Sequence, residues 1–373
     1  MGSVSSYETS DGKRYRVRYR KPDHSQTDKR GFRTKREAET FLASVTVAKA
    51  TGEYIDPALS RVTVAMLADH WLAGKHPPTL KPSSYEPLVI AWRLHVAPRW
   101  GYRQIASIMP SEVQGWVAEL AQQRSASVVL RALGVLAGIL DMAVGDRRIS
   151  RNPARDLRNL PRKQKKSRRV YLTHDQVHRL AAASAYPELV LTLAYTGLRW
   201  GEATALRLRH VNAVRRRLNI EENAVQVDSR IHVGTPKSWE RRSVPYPPLL
   251  SARLAACAAG KRPDDLLFGD GIEYLRPSGH GTGWFEGAVA RVRETDRDFP
   301  RLTPHDLRHT AASLAISAGA NVKAVQKMLG HASAAMTLDT YADLFDDDLD
   351  AVADGLQTEA ERASSGKSWA NDL

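Results

Sequence analysis

The fold of the second half of the chain is decided by the stretch Tyr195-Thr196-Gly197-Leu198-Arg199-Trp200-Gly201-Glu202. Gly197 predicts the end of one helix, because helices commonly end at a glycine. Arg199 then lies at the start of the next helix, with Glu202 one turn further on. A carboxylate at that spacing can hold a guanidinium rigidly, and the guanidinium fork matches phosphate. An arginine near a helix start is more often structural, so this stretch alone leaves both interpretations open.

Two later stretches carry residues of related chemistry. In His305-Asp306-Leu307-Arg308-His309, the side chains of His305 and Arg308 share a helical face. Leu329-Gly330-His331 is followed ten residues later by Tyr341. The spacing of His305 and His309 also occurs in zinc sites, but Arg308 would repel a cation there. We therefore expect no metal.

The composition restricts the classes of protein to consider. A length of 373 residues suits two or three domains, and 55 Lys and Arg against 41 Asp and Glu give a net charge of +14. The single cysteine, Cys257, excludes an internal disulfide and fits a reducing compartment. We find no signal peptide and no apolar run near the roughly 18 residues of a membrane helix. These features predict a soluble cytoplasmic protein with a polyanionic partner, of which nucleic acid is the foremost.

The basic charge is concentrated in two blocks. Residues 13–36 hold 11 Lys and Arg against two acids, and residues 147–169 hold 11 against one. Residues 342–373 reverse the sign, with nine acids and two bases. Basic blocks displace counterions from a phosphate backbone, whereas acidic tails usually contact protein or stay disordered. Any single run could also be a solvated face.

The first basic block alternates strictly in Arg14-Tyr15-Arg16-Val17-Arg18-Tyr19-Arg20. This period of two predicts a strand with an arginine face and an apolar face. A returning strand is predicted at residues 31–34, and Thr34 with Glu37 predicts a capping box that opens a helix ending near Gly52. We expect a small DNA-binding module of a sheet and a helix over residues 1–58; the alternative is a basic surface of a larger domain.

Helical patterns fill the next part of the chain. Four helices are predicted between residues 63 and 154, starting near Thr63, Ser83, Pro110 and Ser127, as a compact helical domain over residues 59–160. The apolar face assigned to the second helix includes Ile90, Leu94 and Val96. The polar, basic composition of residues 161–169 predicts an interdomain linker that lies against DNA.

The rest of the chain predicts a mixed domain over residues 161–373. Strands are expected at about 217–221, 224–232 and 242–246, and helices at about 247–259, 283–294, 305–318, 321–329 and 333–343. The predicted fold class is multidomain and mainly α, with a small N-terminal β-sheet and helix module, a four-helix domain and a mostly helical α+β domain.

Taken in order, Arg199, His305-x-x-Arg308, His331 and Tyr341 resemble the catalytic signature of the tyrosine recombinases, the integrase family. The surrounding Thr-Gly-Leu-Arg-x-Gly-Glu, His-Asp-Leu-Arg-His-Thr and Leu-Gly-His motifs agree with it. Pro236-Lys237-Ser238 resembles the family's β-hairpin lysine segment. The resemblance is strong over about 171–345, moderate over 63–155 and looser over 1–58, which looks like the arm-site DNA-binding domain of temperate-phage integrases.

The resemblance implies a role for each of these residues. Tyr341 would be the nucleophile that forms a 3′-phosphotyrosyl link, and Arg199 and Arg308 would stabilise the transition state. His331 would donate a hydrogen bond to the phosphate, Lys237 would be the general acid, and His305 would assist proton transfer on the tyrosine side. Glu202 would orient Arg199. No cofactor and no metal is expected, because two arginines and a lysine supply the positive charge.

The resemblance also implies partners. These are double-stranded DNA with core-type and arm-type sites, a homotetramer on that DNA, and an excisionase and a host DNA-bending factor; no membrane is involved. The acidic tail either packs on a neighbouring protomer through Leu349, Val352 and Leu356 or is solvated. The residues expected to contact DNA are Arg14, Arg16, Arg18, Arg20, Arg162, Lys163, Lys165, Lys166, Arg168 and Arg169.

Three alternatives remain beside a phage-type integrase. A type IB topoisomerase shares the nucleophile and arginines but relaxes one strand, and a Xer-type recombinase lacks an extra N-terminal module. A protein of the same fold could also bind DNA without cutting it. The Arg-rich module and the helical domain favour an integrase, and the unbroken set of signature residues favours an enzyme.

Overall fold

The structure is a computed structural model that describes residues 2–52, 54–163, 169–235, 241–277, 283–344 and 348–365. The chain divides into two compact units, Met1–Lys165 and Lys166–Leu373. The fold is mainly helical with small sheets, as the sequence predicts.

The first unit begins with a three-stranded antiparallel sheet, β1 (Ser3–Thr9), β2 (Gly12–Arg20) and β3 (Gln26–Phe32), in the order β1-β2-β3. Helix α1 (Lys35–Ala50) covers one face. Val17 and Tyr19 are buried on that face, as the alternation predicts, while Arg18 and Arg20 are exposed. Strand β1 was not predicted.

The cap of α1 differs in part from the predicted capping box. The Thr34 hydroxyl accepts a hydrogen bond from the backbone N–H of Glu37, as expected. The Glu37 carboxylate, however, accepts from the N–H of Arg33 at 3.0 Å, one residue before the N-cap. Both contacts satisfy backbone donors at the helix start, so the helix begins where the sequence places it.

The helical part of the first unit contains all four predicted helices. They are α2 (Val64–Ala73), α3 (Pro82–Ala91) with its continuation α4 (Ala97–Trp100), α5 (Pro110–Gln123) and α6 (Ala126–Gly145). A π-helical turn, Trp92–Val96, joins α3 to α4. The wider turn rotates the helix face, so Val96 and Trp100 are buried, whereas Ile90 and Leu94 are exposed. The predicted apolar face is wrong at these two residues.

Helix α6 is longer and more apolar than the sequence analysis predicts for any segment of the chain. By length and composition it could cross a membrane, contrary to the expectation that no run approaches that length. Nine of its residues are buried in the core of the helical part, together with Trp100 and Trp116. Asp141, near its end, accepts hydrogen bonds from Asn152 and Arg155. The apolar face of α6 therefore has a partner within the protein.

The second unit is built around the buried helix α8. Its helices are α7 (His174–Ala182), α8 (Pro187–Thr196), α9 (Trp200–Thr204), α10 (Ser251–Ala258), α11 (Trp284–Thr295), α12 (Asp306–Ser317), α13 (Val322–Leu329), α14 (Ala334–Tyr341) and α15 (Asp348–Ser365). Seven of the ten residues of α8 are buried, and α8 packs on α7 and α12. This central helix leads directly into the Arg199 motif.

Strands of the second unit form two small sheets. One has the order β4-β5-β8, from β4 (Val211–Asn212), β5 (Arg217–Ile220) and β8 (Arg242–Pro245). The other pairs β6 (Asn223–Val227) with β7 (Arg230–Gly234). The single strand predicted over 224–232 is therefore a hairpin, turned at Asp228, whose φ of 53° is one that aspartate tolerates.

Candidate active site

Two glycine-terminated helices create the centre of the site. Gly197 ends α8 and Gly330 ends α13, both in the left-handed conformation with φ of 65°. A Cβ on Gly197 would lie 2.6 Å from Leu329, so the two helix ends pack closely. The carbonyl groups at these ends are the acceptors around which the site's arginines are arranged.

Arg199 is held by the carboxylate that the sequence predicts. It is the N-cap residue of α9, and its Nη1 donates to Glu202 Oε1 at 2.8 Å. The Glu202 carboxylate also accepts from the backbone N–H of Arg199 at 2.9 Å. Nη2 of Arg199 donates to the carbonyl of Gly330 at 3.3 Å. The guanidinium is thus fixed between α9 and the end of α13.

Glu202 has a second arginine partner that the sequence reading missed. Arg242, the first residue of β8, donates to both carboxylate oxygens, at 3.0 and 2.6 Å. Glu202 is only 1% exposed. Burial alone would raise the pKa of its carboxyl, but the hydrogen bond and charge of Arg242, with the charge of Arg199, outweigh burial and lower it. The sequence signal that could have identified Arg242 is its position shortly after the Lys237 segment.

Arg308 is almost completely buried, with 4% of its surface exposed. Its two Nη atoms donate at 2.6 Å to the carbonyl groups of Gly197 and Leu329. Burial, followed by the nearby charge of Arg199, lowers the pKa of the guanidinium to about 9. The group remains protonated at neutral pH, and two guanidinium groups lie close together.

His331 follows the α13 cap directly. Its Nδ1 lies 3.0 Å from the hydroxyl of Thr337, on α14. Its ring is parallel to the ring of Tyr341, with centroids 6.4 Å apart. Burial, and then the charges of Arg308 and Arg199, lower the pKa of the imidazole to about 4, so it is neutral at pH 7.

Tyr341 ends α14 and is 1% exposed. Its hydroxyl lies 2.9 Å from Nδ1 of His309, one residue beyond Arg308. The guanidinium of Arg169 lies 5.9 Å from the centre of its ring. Burial raises the pKa of the phenol to about 12, although Arg308 acts in the opposite direction. The phenol is therefore protonated at neutral pH.

His305 lies one step further from the tyrosine. It is the exposed N-cap residue of α12, and its ring meets the ring of His309 edge to face, with centroids 5.2 Å apart. The structure thus brings Arg199, Glu202, Arg308, His331 and Tyr341 together, with His305 at the margin. It adds Arg242 and His309, which the sequence analysis did not assign, although His309 stands inside a motif quoted there.

The predicted DNA-contacting residues fall into three groups. Arg14, Arg16, Arg18 and Arg20 lie on β2, and Arg16 donates to the hydroxyl of Ser5. Arg162 and Lys163 are exposed, and the guanidinium of Arg169 lies beside the ring of Tyr341. Four residues of the predicted set lie outside the described residues: Lys165, Lys166, Arg168 and the proposed acid Lys237.

The residue types present match a phosphodiester. A buried phenol lies among guanidinium groups that can bind non-bridging oxygens, and neutral imidazoles can donate or accept a proton. Within the described ranges, no three His, Cys, Asp or Glu side chains are grouped to hold a metal ion.

Fold and site together define a mainly helical, multidomain protein with an arginine, histidine and tyrosine centre. The sequence model described as phage integrase family matches residues 170–347, and that of the phage integrase central domain matches residues 64–160. The chain belongs to the phage integrase family.

Relatives agree with this assignment. The transposase from transposon Tn916 of Enterococcus faecalis is 28% identical over 264 residues, which cover 65% of each chain. The chain thus matches just under two thirds of that relative's length. The integrase of Mycobacterium phage D29 is 26% identical over 326 residues, covering 83% of this chain and 84% of its own.

Solved structures share the fold. A segment of the Tn1549 transposon integrase, in complex with transposon right end DNA, gives a TM-score of 0.60 at 22% identity and covers 75% of this chain and 95% of its own. A lambda integrase dimer bound to a COC′ core site gives 0.55 at 18% identity, with 90% and 93% covered.

Proposed function

We propose that this protein is a site-specific DNA recombinase that cuts and rejoins strands through a covalent 3′-phosphotyrosyl intermediate. It would integrate a mobile element and, with a partner, excise it. The observation that carries the proposal is the placement of Tyr341 within one cluster with Arg308 and His331. Membership of the phage integrase family and relatives called integrase or transposase support it.

The chemistry is a transfer of one ester bond for another. Tyr341 attacks the scissile phosphate and releases a 5′-hydroxyl, so the bond energy is kept and no ATP is needed. Arg199 and Arg308 stabilise the charge that develops on the non-bridging oxygens, each contributing about 3–4 kcal/mol. His331 donates a hydrogen bond to the same phosphate, and Lys237 protonates the leaving oxygen.

Two residues act through a neighbouring side chain and do not contact the phosphate themselves. Glu202 orients Arg199, a role supported by the three hydrogen bonds that it makes to Arg199 and Arg242 side chains and by its burial. His305 assists proton transfer on the tyrosine side through His309, whose ring it contacts. This arrangement needs no metal or cofactor.

DNA is contacted by more than the active site. In our proposal, residues 1–58 bind arm-type DNA through the arginine face of β2, residues 59–160 bind core-type DNA, and residues 161–373 cut it. The exposure of Arg18 and Arg20 opposite a buried apolar face supports the first assignment. Arg162 and Lys163 extend the DNA-binding surface.

The working assembly is a homotetramer on DNA in the host cytoplasm, where it carries out viral or other mobile-element DNA integration. A lambda integrase tetramer bound to a Holliday junction shares the fold, with a TM-score of 0.52, and supports this state. An excisionase and a host DNA-bending factor would set direction. The acidic tail remains open: Leu356 is exposed on α15, and the side chains of Leu349 and Val352 lie outside the described residues.

The test is the substitution Tyr341→Phe, made beside the control Tyr246→Phe at another buried tyrosine. The substrate is a supercoiled plasmid carrying the DNA that flanks the protein's gene. We expect the wild type and the control to give detergent-resistant protein–DNA adducts and exchanged strands, and Tyr341→Phe to bind DNA without either product.

Other outcomes separate the alternatives. Adducts and plasmid relaxation without any exchange of strands would indicate a topoisomerase. DNA binding by the wild type without adducts would indicate a non-catalytic protein. Recombination by Tyr341→Phe would contradict the mechanism.

A further inference from the structure

We propose that His309 is a further catalytic residue, which takes the phenolic proton of Tyr341 as the tyrosine attacks DNA. The inference rests on the proposed function and assigns the proton acceptor for its first step. The family resemblance gives His305 a part in proton transfer on the tyrosine side. The proposal places the proton acceptor itself at His309, whose ring His305 contacts.

Geometry distinguishes the two histidines. Nδ1 of His309 lies 2.9 Å from the Tyr341 hydroxyl, which is hydrogen-bond distance and the reach that a general base needs. His305 contacts the ring of His309 and is exposed at the start of α12. The atom that must lose a proton therefore touches His309.

The direction of this hydrogen bond follows from burial. The imidazole of His309 is neutral at pH 7, because burial and then the neighbouring His305 lower its pKa to about 4. A neutral ring presents one bare nitrogen and one N–H. If the N–H were on Nδ1, the buried Tyr341 O–H would have no recorded acceptor within the described part of the chain. A buried donor without an acceptor is unfavourable, so the tyrosine donates to a bare Nδ1.

The step balances in atoms and charge. The bond between Tyr341 Oη and phosphorus forms while the bond between phosphorus and the 5′-oxygen breaks. The phenolic proton passes to His309 Nδ1, and the 5′-oxygen receives a proton from the proposed acid, Lys237. The phosphodiester charge is unchanged, and rejoining reverses both transfers.

Nearby groups fit this role. Arg308 precedes His309 in the sequence and lies close enough to act on the Tyr341 phenol, whose anionic form its charge stabilises. Arg169 lies over the tyrosine ring and acts in the same direction. A scissile phosphate in the arginine pair would bring negative charge near His309 and make it a stronger base.

The key variant is His309→Asn, because the amide oxygen of asparagine can accept the tyrosine hydrogen bond in place of Nδ1 but cannot take up a proton. His232→Asn, an exposed position on β7, is the matched control. Adduct formation is measured in a single turnover on a duplex containing the cleavage site mapped with the wild type. A second duplex replaces the bridging 5′-oxygen by sulfur, whose departure needs no acid.

We expect His309→Asn to slow adduct formation by about 10²–10⁴-fold on both duplexes, with DNA affinity unchanged. Lys237→Ala should be slow on the oxygen duplex and recover on the sulfur duplex. A His309→Asn rate within about threefold of the wild type would overturn the proposal, since general-base loss costs far more. Recovery of His309→Asn on sulfur would also overturn it, because it would place His309 on the leaving-group side.

A second measurement covers loss of folding by His309→Asn. His309→Ala should regain adduct formation as free imidazole is added, and a rate that does not rise with imidazole would refute the assignment. If the wild type itself forms no adduct on any duplex, the proposed function fails, which is a distinct result from a fast His309→Asn variant.

Discussion

Arg308 holds a positive charge in a place that water scarcely reaches. It is oriented by two carbonyl groups, and burial with the charge of Arg199 lowers the pKa of its guanidinium to about 9. The charge of Arg199 opposes the charge of Arg308, and the negative charge of a phosphate between the two guanidinium groups would favour both. The phenol of Tyr341 is protonated at neutral pH, since burial raises its pKa to about 12.

The substitution Arg308→Lys tests this reading. Lysine keeps the charge but lacks the fork that spans two carbonyl groups and a phosphate. We expect adduct formation to slow by about 10²–10³-fold. The free energy of unfolding should fall by about 1.5–3 kcal/mol, because a buried carbonyl loses a charged donor. Single-turnover cleavage and urea unfolding measure the two effects. Arg301→Lys, at an exposed position, is the control, and full cleavage by Arg308→Lys would contradict the role.

The lowered pKa values of His309 and His331 predict how the free energy of unfolding varies with pH. Burial lowers the pKa of His309 and His331 from 6.5 to about 4. Between pH 6.5 and 4 the unfolded chain binds their protons and the folded chain does not, so stability falls as the pH falls. After allowance for solvent screening, each should remove about 1 kcal/mol between pH 7 and 5.

Urea unfolding of the wild type and His331→Asn at both pH values measures this dependence. The variant should lose less stability than the wild type on acidification, and the exposed-site control His232→Asn should match the wild type. An equal loss in His331→Asn and the wild type would show that His331 is not the source.

At the scale of elements, the site lies where the C-terminal ends of α8 and α13 come together. The last carbonyl groups of α8 and α13 accept hydrogen bonds from Arg308, and the carbonyl of Gly330 accepts from Arg199. Cations are stabilised at helix C-termini, where the carbonyl groups have no helical partners. The left-handed caps at Gly197 and Gly330 aim these groups at the arginines.

Gly330→Ala should disturb the site through Arg242. A Cβ at Gly330 would lie 2.9 Å from Cζ and Nε of Arg242, which cannot move without leaving the buried Glu202. Gly319→Ala is a matched control, because Gly319 also has a positive φ but nothing lies within 4 Å of its Cβ. Both variants should lose about 1–2 kcal/mol from the left-handed conformation.

Only Gly330→Ala should lose about 1–3 kcal/mol more and cleave more slowly. Urea unfolding and single-turnover cleavage check the comparison. Equal stability and equal cleavage in the two variants would show that the contact with Arg242 carries no energy.

The same elements explain what the sequence could predict. Helix ends and their caps depend on local residue types, so Gly197, Arg199 and the start of α12 were predictable. The pairing of Arg242 with Glu202 joins residues 40 apart through the position of β8, and no local pattern encodes it. The π-helical turn at Trp92–Val96 likewise changes which residues of the helix are buried. Packing determines this turn, and the regular helical period used for the prediction does not include it. The family resemblance, not the residue spacing, supplied the roles.

At the scale of the whole molecule, the net charge of +14 is concentrated in two basic blocks, residues 13–36 and 147–169. The exposed arginines of β2 extend a face remote in sequence from the catalytic residues, and Arg169 of the second basic block lies at the tyrosine itself. The acidic C-terminal residues lower the total without removing either block. In the proposed function, each basic block therefore contacts its own DNA segment.

The double variant Arg18→Gln and Arg20→Gln tests the first block. Each phosphate contact adds about 0.9 to the slope of log affinity against log salt. The slope should fall by about 1–2 on a duplex from the DNA flanking the gene, while cleavage in the active site continues. Arg362→Gln, on the acidic α15, should leave the slope unchanged. An unaltered slope in the double variant would remove β2 from the DNA-binding surface.

The central claim is that Tyr341 becomes covalently bonded to DNA. The most direct measurement is mass spectrometry of the adduct, trapped on a duplex nicked just beyond the mapped cleavage site and then digested with protease and nuclease. We predict a peptide containing Tyr341 with a 3′-linked nucleotide on the phenol. A nucleotide on any other residue, or on none, would contradict the account.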